Sequence, residues 1–157
     1  MKKENLSKLI LIRIDEEYIS YLRKYDSKVQ INSSALHKDN KPFVGVLFKI
    51  NNLKYFVPIS SNKKDKLSRM FNKYVETGKK PIDMFFIEET YNDERKLLSV
   101  LNLNNMIPVC DSAIINYNIR EDKDYFLLRK EIEFCNLHKE KIISDSKRIY
   151  NAVTNHS

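Results

Sequence analysis

Ser60, Ser61, Lys63 and Lys64 fall within one stretch of five residues, directly after the apolar run Tyr55-Phe56-Val57-Pro58-Ile59. Hydroxyls and ammonium groups at the end of a strand suit a phosphodiester better than an apolar substrate. Cations pair with phosphate oxygens and hydroxyls donate to them. A loop held by a rigid strand is a common seat for binding and catalytic groups, although Ser, Asn and Lys also collect in ordinary surface turns. Lys41, just ahead of a second strand, is a further cationic candidate, and Tyr18 brings a phenol. Other charges that would meet a polyanion are Lys64, Lys66, Lys38, Lys79 and Lys80, with His37 in a polar segment between Lys38 and the first helix. The three histidines, His37, His138 and His156, show no ligand spacing, and Cys110 and Cys135 cannot hold zinc alone. No metal or cofactor is therefore expected.

These groups must be positioned by regular elements. Leu6 to Ile14 reads as a strand, and Asp15 can cap a short amphipathic helix running to Tyr25. Asp26 to Lys41 reads as a long polar loop. Phe43 to Ile50 and Lys54 to Ile59 form a hairpin about Asn51-Asn52, the first strand apolar enough to be buried on both faces. A helix follows from Lys63 to Thr77, with Leu67, Met70, Phe71 and Tyr74 on one stripe and Gly78 as its stop. Met84 to Ile87 and Lys96 to Leu103 are strands about the turn Asn92-Asp93-Glu94-Arg95. From Glu121 to Val153 the chain is helical, with Leu128, Ile132, Cys135, Ile142, Ile149 and Val153 at apolar positions and an interruption at Asn136 or Ser144. Strands first and helices late make an α+β pattern. Short hairpin-linked strands favour a small curved antiparallel sheet or half-open barrel over a parallel sheet.

The 157 residues suit one domain, and 42% hydrophobic content excludes a disordered tail. No apolar run can span a bilayer, and Leu9-Ile10-Leu11-Ile12 is too short for a signal peptide, so the chain reads as soluble and cytoplasmic. In that compartment the two cysteines are buried thiols rather than a disulfide. A net charge of +7 favours a polyanionic partner. No single amphipathic helix carries the basic residues, which weakens a membrane-surface role. With only Gly45 and Gly78, a Walker loop or dinucleotide fingerprint is excluded.

Four segments resemble a known family in order along the chain. They are Ile14-Asp15-Glu16-Glu17-Tyr18-Ile19-Ser20-Tyr21-Leu22, Lys41-Pro42-Phe43-Val44-Gly45-Val46-Leu47, Tyr55 to Lys64, and Leu101-Asn102-Leu103-Asn104-Asn105-Met106-Ile107-Pro108-Val109. They are similar to motifs of the ToxN/AbiQ endoribonuclease toxins of type III toxin–antitoxin and phage-abortive systems. The specific pieces are Pro-x-Ser-Ser-x-Lys and Asn-Leu-x-x-Met-Ile-Pro. Asn62 departs from the pattern, standing where proline is common.

The resemblance implies a compact SH3-like barrel core with added helices, similar to the MazF/Kid toxins. It also implies metal-independent cleavage of single-stranded RNA, and a repeat RNA antitoxin, folded as a pseudoknot, that is bound tightly and is itself a cleavage product. Toxin and antitoxin RNA would close into a hetero-oligomer.

In such cleavage the substrate's own 2′-hydroxyl attacks phosphorus, giving a 2′,3′-cyclic phosphate and a 5′-hydroxyl. The enzyme must align that attack, stabilise the phosphoryl oxygens and help the 5′-oxygen leave. Carried over from the family, Lys63 meets the scissile phosphate as a cation. Ser61 meets the phosphate oxygens or relays the 2′-hydroxyl proton, with Ser60 beside it. Serine is a poor base at neutral pH and histidine is scarce, so Ser61 is not expected to act as base alone. Lys41 is a second cation, and Tyr18 stacks on a base or donates a proton. Each has a plainer alternative: Tyr18 as a half-buried core residue, Lys41 as a solvated loop charge, Ser60 as a turn hydroxyl. Asn102 reads as a polar residue that fixes a loop. The competing function is a non-catalytic RNA- or DNA-binding module, supported by the same charge.

Overall fold

A computed structural model describes residues 8–25, 41–61 and 65–155. Local chemistry sets most of the element boundaries. Strand β1 (Ile10–Ile14) ends at Asp15, whose carboxylate accepts from the Glu17 N–H at 2.8 Å and starts helix α1 (Glu16–Arg23). Two tight hairpins use side chains that tolerate positive φ. Asn51 and Asn52 (φ 51° and 68°) join β3 (Lys49–Ile50) to β4 (Leu53–Ser61). Asn92 and Asp93 (φ 51° and 63°) join β5 (Met84–Tyr91) to β6 (Glu94–Asn102). Gly78, at φ 74°, stops helix α2 (Asp65–Thr77).

The expected strand from Phe43 to Ile50 is divided. Strand β2 (Phe43–Gly45) stops at Gly45, and the chain runs irregularly through Val46–Phe48 before β3. The division follows from β4, a long strand that changes partners along its length. Lys54, Tyr55 and Phe56 oppose Val109, Pro108 and Ile107 of β7 (Ile107–Val109). Val57 and Pro58 oppose Val44 and Phe43, and Ile59, Ser60 and Ser61 oppose Leu101, Val100 and Ser99. Pro58 has no N–H to donate and sits where β4 passes from β7 to β6. The sheet order is β5-β6-β4-β2-β1-β8, with β3 and β7 also on β4, and every pair is antiparallel. The edge strand β8 (Ile114–Asn116), which pairs with β1, has no counterpart in the sequence expectation.

The long helical region is two helices, α3 (Tyr125–Leu137) and α4 (Lys139–Asn155), broken at His138 rather than at Asn136 or Ser144. Asn136 stays inside α3 because its amide is used elsewhere. It accepts from the Leu9 N–H at 2.8 Å and donates to the Leu9 carbonyl at 3.0 Å, fastening α3 to β1. Val153 is exposed, one turn beyond the last core contact of α4 at Ile149.

Side chains alternate between the two faces of each strand. Leu9, Leu11, Val44, Val57, Ile59 and Leu101 pack with Leu128, Cys135 and Ile142 of α3 and α4. On the opposite face, Ile12, Phe43, Phe56 and Val109 enclose Ile19 of α1, while Phe86, Leu97 and Val100 enclose Phe71 of α2. Cys110 and Cys135 are free thiols, Cys135 being buried. Among the described residues no helix is long and apolar enough to cross a membrane.

Candidate active site

The apolar layer between sheet and α3 turns polar at one end. Arg13 continues the face of Leu9 and Leu11, Ser61 that of Val57 and Ile59, and Ser99 that of Leu101. Ser61 and Ser99 stand opposite each other across β4 and β6. From α3, Glu131 follows Leu128 by three residues and precedes Cys135 by four, which sets it on the same buried stripe. Arg13, Lys41, Ser61, Tyr117, Asp122 and Glu131 line one cleft of about 580 Å³. A larger cleft of about 730 Å³ runs along β1 and α3, but Leu9, Ile10, Leu11, Ile119 and Ile132 make its lining mainly apolar.

One wall of the polar cleft is prearranged. The Arg13 guanidinium lies 4.3 Å from the centroid of the Tyr117 ring, and its Nη2 is 3.5 Å from Asp122 Oδ2. The Tyr117 hydroxyl donates to the same carboxylate oxygen, and the Asp124 N–H donates to Asp122 Oδ1 at 2.8 Å. The hydrogen bond from Tyr117, followed by that from Asp124, holds the Asp122 carboxyl below its ordinary pKa. Burial, followed by the bond to Asp122, pushes the Tyr117 phenol up to about 12. Arg13 Nε is buried with no hydrogen-bond partner.

The floor differs. Glu131 is 3% exposed. Burial raises its carboxyl pKa; the Ser99 hydroxyl pulls the other way, and the charge of Asp124 adds to the rise. Ser99 makes no hydrogen bond of good geometry. Among the described lining residues Arg13, Lys41 and Lys123 are cationic, whereas Glu121, Asp122, Asp124 and Glu131 are acidic. The described lining is therefore not a basic patch. Among the described residues no three histidine, cysteine or carboxylate side chains are placed to hold a metal ion.

The expected site residues divide between the two faces of the sheet. Ser61 and half-buried Lys41 share the cleft. Ser60 points the other way, and its hydroxyl accepts from Asn102 Nδ2 at 3.1 Å. Tyr18 belongs to the cluster beneath α1, and its hydroxyl donates to the Pro108 carbonyl at 2.6 Å. Burial, then the neighbouring Cys110, raises its phenol pKa, so Tyr18 stays protonated and is a poor base. Lys66 and Lys79 are exposed. Lys80 is turned inward. Its Nζ donates to the Met84 carbonyl at 2.6 Å and lies 3.5 Å from buried Asp145, and burial lowers its pKa. Lys63, Lys64, His37 and Lys38 lie outside the described residues.

Sequence reasoning did not single out Arg13, Tyr117 or Glu131. Arg13 and Tyr117 carry no local signal, since β8 and the turn after it bring them together. Glu131 did carry one: a carboxylate on a stripe otherwise made of Leu128 and Cys135, where an apolar residue belongs.

The chain is similar to known proteins along most of its length. The model of the family described as "Toxin ToxN, type III toxin-antitoxin system" matches residues 10–157. The chain is 34% identical over 146 residues to an endoribonuclease ToxN of Bacillus thuringiensis subsp. kurstaki, covering 90% of this chain and 66% of that protein. It is 30% identical over 138 residues to the endoribonuclease AbiQ of Lactococcus lactis subsp. lactis, covering 87% of this chain and 71% of that protein. A solved type III toxin–antitoxin structure, in which a non-coding RNA pseudoknot selectively inhibits the toxin, superposes with a TM-score of 0.72 at 30% identity, covering 94% of this chain and 81% of that one. The chain thus spans about two thirds of the length of its Bacillus relative and rather more of the others. On the extent of the family match, this chain belongs to the ToxN family of type III toxin–antitoxin toxins.

Proposed function

We propose that the chain is a sequence-selective endoribonuclease toxin, independent of metal, that cleaves single-stranded RNA by attack of the 2′-hydroxyl and leaves a 2′,3′-cyclic phosphate and a 5′-hydroxyl. The observation that carries this is the polar end of the α3-facing layer. There Ser61, at the tip of β4, the strand that pairs with four others, shares a cleft with Lys41 and Arg13. Ser61 donates to a phosphoryl oxygen or relays the 2′-hydroxyl proton. Lys63, two residues on, supplies the cation for the scissile phosphate. Ser60, Lys41 and Tyr18 set the frame. Positioning and electrostatic stabilisation together provide most of the acceleration such a reaction needs.

The partner is a repeat RNA antitoxin folded as a pseudoknot, closing with the toxin into a hetero-oligomer. The whole chain forms one domain whose core is an SH3-like barrel of the MazF/Kid type. The strand β4, paired with β2 and β3 along one edge and with β7 and then β6 along the other, supports that barrel reading. The system would act in the cytoplasm as a phage defence.

The test is incubation of purified protein with single-stranded RNA in EDTA, reading fragment ends. Fragments bearing cyclic phosphate from the wild type, and none from Ser61→Ala plus Lys63→Ala, are expected. Uncut RNA at high protein concentration, with binding that falls steeply with salt, would instead support a non-catalytic nucleic-acid-binding module.

A further inference from the structure

Two carboxylates are buried among the described residues, Asp145 and Glu131. Asp145 is surrounded by Lys80, Lys141 and Arg148, its oxygens 3.5, 3.2 and 3.7 Å from their nitrogens. Glu131 makes no ion pair with any described cation. A buried carboxylate without a cation is costly, and such groups concentrate where a protein needs a tuned acid or base. Glu131 lies in the wall of the same cleft as Ser61. The residue opposite Ser61 in the sheet, Ser99, is the one whose hydroxyl acts on the Glu131 carboxyl.

The proposed reaction lacks a base. The Ser61 hydroxyl keeps its own proton at neutral pH and is a poor base on its own. His138 is packed on Phe134 at the α3–α4 junction, 4.3 Å between ring centroids, and does not line the cleft. Asp122 is already engaged by Arg13, Tyr117 and the Asp124 N–H. We propose that the Glu131 carboxylate is the terminal acceptor of the 2′-hydroxyl proton, taken through the Ser61 hydroxyl; the proposal deepens the endoribonuclease reading and rests on it. As the 2′-oxygen bonds to phosphorus, its proton passes to Ser61 Oγ and the Ser61 proton passes to Glu131. The bond from phosphorus to the 5′-oxygen breaks, the departing oxygen takes a proton from water, and Glu131 returns its proton to solvent. Ser99 of β6 and Asp124, just ahead of α3, act on the Glu131 carboxyl and Cys135 is its neighbour on α3, while Ser61 of β4, Arg13 of β1 and Lys41 line the same cleft. Burial moves the carboxyl towards the operating pH, which suits a general base.

The experiment is a pH–rate profile on a single-stranded RNA oligonucleotide for the wild type, Glu131→Gln, Glu131→Asp, Ser61→Ala and the double variant Glu131→Gln/Ser61→Ala. Glu133→Gln, exposed two residues along α3, is the control and should match the wild type. Glu131→Gln should lower kcat by about 10²- to 10³-fold with little change in KM. It should also abolish the acidic limb of the profile. Glu131→Asp should keep partial activity and a shifted acidic limb. Because Ser61 and Glu131 act in series, the double variant should be no slower than the slower single one. A Glu131→Gln enzyme within roughly three-fold of the wild type, or one that keeps the acidic limb, overturns the proposal. If Glu131→Gln does not fold, the profile of Glu131→Asp decides, and an unshifted limb overturns the proposal. An inactive Ser61→Ala beside an active Glu131→Gln defeats the base assignment alone, whereas an active Ser61→Ala defeats the site itself.

Discussion

Asn102 at the end of β6 donates its side-chain amide to Ser60 Oγ at 3.1 Å, joining two motifs that lie 42 residues apart in the chain. A second bond joins the same motif to α1, from the Tyr18 hydroxyl to the Pro108 carbonyl at 2.6 Å. The segment Asn102 to Pro108 therefore braces the Ser60–Ser61 end of β4 from one end and the tyrosine from the other.

Removing the brace should loosen the end of β4 without removing any group from the cleft. Asn102→Ala forfeits one half-buried hydrogen bond, about 1 kcal/mol of stability. It should lower kcat by about ten-fold, since a small misplacement of a reacting group is amplified. Steady-state kinetics beside a urea melt check both. A large loss of stability with full activity per folded molecule would contradict the brace.

Glu131 should trade stability against activity. Its folded pKa is raised above the ordinary value, so the folded state binds the proton more tightly than the unfolded chain. The associated stability is fully present below the ordinary carboxylate pKa and is lost as pH rises through the raised value. At pH 7.5 an ionised Glu131 is thus a cost that Glu131→Gln relieves. Each kcal/mol regained should raise Tm by about 2–4 °C in a chain of this size. At pH 4 the two proteins should melt together, as differential scanning calorimetry would show.

Lys79 and Lys80 are neighbours with opposite expected behaviour. Lys80→Ala removes a half-buried cation from Asp145, which keeps Lys141 and Arg148, and should cost about 1–3 kcal/mol. Lys79 is exposed, and Lys79→Ala should leave Tm unchanged and lower any RNA affinity modestly, with a shallower salt dependence. Melting curves and salt-titrated RNA binding separate the two effects.

Gly45 is required by volume. A Cβ there would lie 2.5 Å from Cδ2 of Phe56, which is 1% exposed and has nowhere to move. Gly45→Ala should destabilise the fold by about 1–3 kcal/mol through overpacking. Adding Phe56→Leu should recover part of that loss in the same denaturant assay.

The sequence showed the elements that carry a local rule and hid those that depend on tertiary pairing. Asp15 as a cap, the Asn51-Asn52 hairpin and the Gly78 stop each rest on the conformational preference of a single residue, and all stand where expected. The break after Gly45 was hidden because it follows from β4 exchanging partners, which Phe43 to Ile50 do not reveal in their own pattern. β8 was hidden because Ile114–Asn116 is three residues long and takes its register from β1. At the site, Ser61 and Lys41 were legible as polar endings of apolar runs. The orientation of Ser60 away from Ser61 was not, because the strand was expected to end at Ile59 and instead runs on to Ser61. Arg13 meeting Tyr117 and Asp122 was not, since those residues converge only once β8 has folded back along β1.

The exchange of partners along β4 has a consequence for control. Every residue from Lys54 to Ser61 is paired on at least one side, with β3, β7, β2 or β6. Its amide hydrogens should be among the slowest to exchange with solvent, opening only with the whole molecule. The cleft end of such a strand is a fixed anvil rather than a hinge. Silencing it by distortion would require unfolding the protein, so an inhibitor of any kind has to work as a cover over the strand tip.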